Sequence, residues 1–396
     1  MTFVSLLTGP ARLWRRYPGL TDLRLWARFA MTLALAVAGA LVFDLLSLPL
    51  PWMLGSMTAV TLGAVLRMNL YAPSVIRPPM TAVIGVLLGA SFTPSVLDNI
   101  VVWLPSLLGL VVFSALSGLA CAVYLYKVAG FDRVTAFFGG MPGGLVEMIE
   151  LGAERGADER AVALMHSARI LLVVFSLPFI LQLSEGVMIA GLDGGNEGVL
   201  DAPPTAIILL LGCGLVGIRL GGVLRLPARH LMGPMLISAL LHVMGLTDFT
   251  PPREIVYSAQ LVIGAVLGAR FVGVAPQLIL KMMAIASGMT VILIAIVFLM
   301  ALAMQAITGI GLATLVLAYS PGGLAEMSLV ALALDADVAF VATHHLARIL
   351  LVMLGAAPVY ALLVRLTLTA AEPAPLPDGP FPSVEPPSPA CESGRP

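Results

Sequence analysis

The sequence predicts an all-α polytopic membrane protein made of two homologous repeats, each of about five transmembrane helices plus a Pro-Gly-Gly segment that is broken or re-entrant. Three observations predict it. Hydrophobic residues make up 59% of the 396, charged residues 11%, and the mean hydropathy is +1.02, whereas about 25% of residues in soluble domains are charged. The stretch Met141-Pro142-Gly143-Gly144-Leu145-Val146-Glu147-Met148 returns as Ser320-Pro321-Gly322-Gly323-Leu324-Ala325-Glu326-Met327. A Pro-Gly-Gly break in an apolar run frees backbone groups that lipid cannot satisfy, so protein or a wet cavity must surround it.

In chain order, residues 1–28 form a basic region with Arg12, Arg15, Arg16, Arg24 and Arg28. It is too long for a secretory leader and no small-residue cleavage site follows, so a retained first span with a cytoplasmic N-terminus is expected. The first membrane repeat covers 29–183, with spans near 29–48, 51–68, 79–96, 100–126 and 162–183 and the Pro-Gly-Gly segment at 134–152. Each run approaches the 20 or so apolar residues that a crossing helix requires. Residues 184–204 are an acidic Gly/Pro linker carrying Glu185, Asp193, Glu197 and Asp201. The second repeat covers 205–370, with spans near 205–224, 231–247, 255–273, 281–308 and 338–366 and its Pro-Gly-Gly segment at 313–334. Nine prolines in the last twenty-six residues rule out a packed core at 371–396 and point to a disordered cytoplasmic tail.

The duplication extends well beyond the opening block. Seventeen of thirty-two positions are identical, without a gap, between 142–173 and 321–352, and the same offset of 179 aligns 83–92 with 262–271. Orientation depends on the Pro-Gly-Gly segment. If it crosses fully, each half has six spans and the halves are parallel; if it enters and returns, each half has five and they are inverted. Inversion places Arg67, Arg77, Lys127, Arg133, Arg155, Arg160, Arg225, Arg229, Arg270, Lys281 and Arg365 at the inner face and misplaces Arg253, so the preference of basic residues for cytoplasmic loops favours it.

The residues able to carry chemistry also come in pairs. After Pro142, Gly143 and Gly144, and again after Pro321, Gly322 and Gly323, a short helix can begin inside the membrane, with the proline suited to its first turn. Such half-helix N-termini hold anionic groups in transporters with inverted repeats; the plainer reading of the glycines is close helix packing. Glu147 and Glu326 follow one turn later, and intramembrane acids imply partners. Arg169 and Arg348 are the candidates, each with a histidine three residues before it, His166 and His345, on the same helix face. These charges either form internal ion pairs or bind an oxyanion, with Glu or His carrying a proton. Asp158 and Asp337 are placed to cap the helices that follow.

The net charge of -1 hides local basic clusters but leaves no footprint for nucleic acid. Cys121, Cys213 and Cys391 have no metal spacing, and the adjacent His344 and His345 point about 100° apart on a helix, so no cofactor, metal or enzymatic activity is expected.

The pattern Pro142-Gly143-Gly144 with Met148, Gly156-Ala157-Asp158-Glu159-Arg160, Val162-Ala163-Leu164-Met165-His166 and Arg169-Ile170-Leu171 resembles the AbrB family of membrane proteins, as do Trp52-Met53-Leu54-Gly55 and Gly233-Pro234-Met235-Leu236. The resemblance runs from about 30 to 367. It implies a duplicated domain and brings two labels, ammonia monooxygenase and transcriptional regulator. His166 stands where some members carry glutamine. The function expected is a secondary transporter of a small organic anion in the inner membrane, with proton or ion coupling and both termini cytoplasmic. A membrane-embedded regulator of gene expression is the alternative. The expected partners are the substrate and the bilayer; oligomerisation stays open.

Overall fold

In a chain this apolar, helices satisfy each backbone group within the segment, and the described residues are accordingly helical without strands. The computed structural model describes residues 23–94, 96–185 and 198–368. The basic N-terminus up to residue 22, the middle of the linker and the Pro-rich tail, with Cys391, lie outside them.

Helix α1 spans Leu23–Leu45, a π turn Pro51–Gly55 leads into α2 at Ser56–Val65, α3 spans Arg77–Ala90, and α4 spans Val96–Lys127. Two short helices follow, α5 (Arg133–Gly140) and α6 (Leu145–Ala153), then α7 (Glu159–Glu185). Past the linker come α8 (Pro204–Val223), α9 (Arg229–Val243), α10 (Arg253–Gly268, extended by a 3-10 turn Ala269–Phe271) and α11 (Pro276–Thr308). The chain closes with α12 (Leu312–Tyr319), α13 (Leu324–Ala333) and α14 (Val338–Leu368).

Among the described residues seven helices are long and apolar enough to cross a membrane: α1, α4, α7, α8, α10 with its extension, α11 and α14. This is the make-up of a multi-pass membrane protein. The spans expected at 51–68, 79–96 and 231–247 are shorter helices of 10, 14 and 15 residues. Left-handed Leu50 and Ala228 set the starts of the π turn and α9, and Pro at the first turn of α3 sets its own.

The helices sort into two packed groups. In one, α3 lies along α9, α2 along α10, and α1 and α8 flank them. Gly85 and Gly89 rest against the backbone of Leu231 and Met235, and Gly264 and Gly268 against that of Met53 and Met57, so closely that an added Cβ would overlap the facing carbonyls. Both indices of each pair rise together, so α3 runs in the same direction as α9, and α2 as α10. In the other group, α4 and α11 are antiparallel, with Tyr124 beside Gly288 and Met304 beside Gly109, and they carry the two pairs of short helices.

Candidate functional site: two helical hairpins

The stretch 134–152 does not run straight on. α5 and α6 are joined by an extended link in which Met141 (φ -61, ψ 135) ends the first helix and Gly144 (φ -67, ψ 143) caps the second. The backbone N–H of Asp158, beyond α6, donates to Thr135 Oγ1, near the start of α5, at 2.9 Å. A segment whose two ends meet has turned back on itself, so α5 and α6 form a hairpin with the break at its tip. The second Pro-Gly-Gly segment has the same local geometry: Ser320 (φ -59, ψ 136) and Gly323 (φ -74, ψ 149) bound the link between α12 and α13. Gly156 (φ 85) and Asp335 (φ 53), 179 residues apart, make the same left-handed bend before α7 and α14. Asp158 and Asp337 cap those helices as expected, accepting from the N–H groups of Ala161 at 3.0 Å and Phe340 at 2.9 Å.

Pro142 and Pro321 are not in the first helical turn, as the sequence suggested. Each stands two residues ahead of the cap, inside the link, where its fixed φ keeps the chain extended and its missing N–H leaves no donor to satisfy. The glycines keep negative φ and serve close approach: a Cβ on Gly143 would lie 2.8 Å from Val352 Cγ1, and one on Gly322 2.7 Å from Met327 Cγ.

The tips reach α4 from opposite ends. α5 departs from the Lys127 end of α4, and Met141 rests on Gly118; α12 departs from the Thr308 end of α11, and Tyr319 rests on Gly109. Gly109 and Gly118 are separated by about 14 Å of helix rise.

Each break leaves carbonyls at the end of one short helix and amides at the start of the next. His166 Nε2–H donates to Phe138 O at 2.9 Å and Arg169 Nη1 to Met141 O at 2.8 Å, while Arg169 Nη2 donates to His166 Nδ1 at 3.0 Å. In the second hairpin His345 donates to Leu317 O at 3.0 Å; Arg348 donates to Tyr319 O at 3.3 Å, to Ser320 O, to Gly322 O at 3.2 Å and to His345 Nδ1 at 3.0 Å. A guanidinium at a helix C-terminus also meets the negative end of the dipole. Both ring nitrogens of each histidine are thereby engaged.

Glu147 and Glu326 occupy the other side of each break. They lie in the first turn of α6 and α13, where the dipole favours an anion, and their Oε2 atoms fold back against Gly144 and Gly323 so closely that a Cβ there would overlap them. The described ion pairs are Arg155–Glu154 and Arg253–Glu254; Glu147–Arg169 and Glu326–Arg348 are not among them. The charges compensate the two ends of a broken backbone rather than each other. One nitrogen of each guanidinium has no partner: Nε of Arg169 and of Arg348 is buried without one.

Two features escaped the sequence reading. Tyr319 O–H donates to Ser106 O at 2.6 Å, and Ser106 Oγ lies 2.9 Å from His344 Nε2, tying the second hairpin to α4 and α14. His344 and His345 therefore serve different partners. Arg270, at the end of α10, has Nη1 buried without a partner. Its mark in the sequence is a base interrupting an apolar repeat, where the first half has Ser91.

The family described as "Transition state regulatory protein AbrB" matches residues 52–364. An uncharacterized protein of Bacillus subtilis (strain 168), YhjN, is 29% identical over 357 residues, covering 84% of this chain and 92% of the relative. A protein of Escherichia coli (strain K12) whose name designates it a regulator, AbrB, is 26% identical over 337 residues, covering 83% of this chain and 94% of the relative. The match spans both hairpins and both His–Arg clamps, and the chain belongs to the AbrB family.

Proposed function

We propose that the chain is a secondary carrier of a small organic anion, working by alternating access about the two hairpin tips. The single observation that carries this reading is the buried, unpartnered Nε of Arg169 and Arg348 at the two breaks. A buried donor without a partner is costly, and a charged one binds an oxyanion strongly. The pocket so defined comprises Pro142, Gly143, Gly144, Glu147, His166 and Arg169 with Pro321, Gly322, Gly323, Glu326, His345 and Arg348.

In this reading the halves are inverted repeats, and hairpins returning on themselves leave five spans in each. The directions of α3 with α9 and α2 with α10 support it, since consecutive spans alternate and parallel halves would make these pairs antiparallel. The basic ends of α3 and α9 then face the cytoplasm, the tail follows on that side, and a bacterial cell would hold the protein in its inner membrane. Glu147 and Glu326 are the proton carriers, because the histidine nitrogens are committed to the clamps. Neutralising a glutamate removes a negative charge from the helix N-terminus, so protonation and anion binding go together. The carrier performs no covalent chemistry and needs no nucleic acid partner.

Uptake of labelled anions into proteoliposomes tests the reading, with Glu147→Gln and Glu326→Gln. Acid-driven uptake by the native chain, reduced at least tenfold in each variant, is expected. Background uptake of every anion tried, or native uptake in both variants, refutes it.

The name of the Escherichia coli relative favours a second reading, a membrane regulator of gene expression. Loss of an expression effect on deleting 371–396, with uptake unchanged, would select it.

A further inference from the structure

The two clamp arginines match in the sequence but differ in what they have left to give. A guanidinium carries five N–H groups. Arg348 uses both terminal nitrogens twice, Nη1 on Tyr319 O and Ser320 O and Nη2 on Gly322 O and His345 Nδ1, so its Nε–H alone is unspent. Arg169 uses each terminal nitrogen once, Nη1 on Met141 O at 2.8 Å and Nη2 on His166 Nδ1 at 3.0 Å. Five N–H groups less two leave three, one on each nitrogen, without a partner among the described residues. Arg169 is nevertheless only 1% exposed.

A second unspent donor stands beside the first break. Met141, whose carbonyl Arg169 holds, lies on Gly118 of α4: a Cβ there would meet Met141 Sδ at 2.7 Å and Pro142 Cδ at 3.6 Å. Ser114 lies between Gly118 and Gly109, one turn from Gly118 on the same face of α4 and about 6 Å along its axis. The residue is 8% exposed and its hydroxyl is buried without a partner. Ser117 on the same helix instead donates to Phe113 O, the ordinary outlet for a serine inside a helix. At the second tip the neighbouring polar groups are spent on one another, Tyr319 O–H on Ser106 O and Ser106 Oγ with His344 Nε2.

We propose that Arg169 and Ser114 are the principal binding groups for a small oxyanion, held at the first hairpin by several N–H bonds and one hydroxyl. Arg348 is chiefly a positioning residue, which adds its one Nε–H from the second hairpin. An arginine that gives two parallel bonds to a carboxylate holds it more strongly and selectively than one that gives a single bond. A buried hydroxyl without a partner costs stability until a ligand meets it. This site deepens the carrier reading and rests on it for its purpose, whereas the binding itself needs no transport.

The test is equilibrium binding, read by thermal shift on the full chain in phosphatidylcholine nanodiscs, with acetate, succinate and phosphate as probes. At least one of them at millimolar concentration should raise the melting temperature of the native chain. Ser114→Ala strands no partner, so it should keep or raise the unliganded melting temperature while weakening that probe about tenfold. Arg169→Lys keeps the charge but loses the array of N–H groups and should weaken the probe at least about tenfold. Arg348→Lys should lower the unliganded melting temperature most of the three, yet weaken the probe less than about threefold. No shift with any probe, unchanged binding in Ser114→Ala, or equal losses of binding in Arg169→Lys and Arg348→Lys overturns the proposal. Should Arg169→Lys fail to fold, Ser114→Ala and Ser114→Val leave both clamps intact and decide it, since both must bind the probe weakly. The expected pattern together with background uptake in proteoliposomes overturns the carrier reading alone, and native uptake with unchanged binding in Ser114→Ala overturns this site alone.

Discussion

The two hairpins share a break, a clamp and a capping acid, yet they sit differently in the protein. Leu324 to Ala331 of α13 are all buried, Glu326 included at 5% exposure. On α6 the buried residues are Met148 and Gly152, while Val146 is 57% exposed and Glu147 is half-buried. Arg348 reaches three carbonyls where Arg169 reaches one. Tyr319 is bonded to α4 where the first hairpin has Gly140, packed directly on Cys121 and Ala122 of the same helix. Equal local chemistry therefore does not make equal elements: α13 is buried from Leu324 to Ala331, whereas α6 buries one face although its partner α5 is buried from Thr135 to Gly140. The carrier proposed above, opening one side at a time, requires an asymmetry of this kind in any one state.

The largest effect should come from the clamps. Arg348→Ala strands several buried carbonyls and one imidazole nitrogen and should cost about 3–5 kcal/mol. Arg169→Ala should cost less, about 2–3 kcal/mol, because fewer partners are stranded. Thermal unfolding of the purified variants checks both, and equal losses would break the contrast between the hairpins. Next in size are the tip glycines. Gly323→Ala drives a Cβ into a buried glutamate and should cost about 2–3 kcal/mol. Gly144→Ala should cost about 1 kcal/mol, since half-exposed Glu147 can swing outward. Stability of the pair in the same detergent reads the difference. The smallest effect is Tyr319→Phe, about 1 kcal/mol for the bond to Ser106. Limited proteolysis should then show the second hairpin opening more easily while the first keeps its native cleavage rate.

Much of the arrangement was legible because the chain says it twice. Seventeen identities in register marked Pro142 to Arg169 and Pro321 to Arg348 as one unit, and the caps at Asp158 and Asp337 followed from residue type. The pairing of the charges did not follow. Glu147 and Arg169 attract on paper, but a broken helix offers nearer partners: carbonyls for the arginine and a helix start for the glutamate. Nor did the histidines' roles, which depend on which backbone oxygen each ring meets across a gap of 28 residues.

What the sequence determined by itself is the helical, membrane-suited chain, the recurrence of one sequence block and the positions of the breaks. These depend on hydropathy, repetition and the geometry of proline and glycine, all of which are local. The tertiary structure decided that each break is the tip of a hairpin, that α13 is buried along its length while α6 buries one face, and that Arg270 keeps a buried nitrogen without a partner. Those outcomes depend on which surfaces meet across long separations, and close packing lets single residues such as Tyr319 and Gly140 set how tightly each hairpin is held.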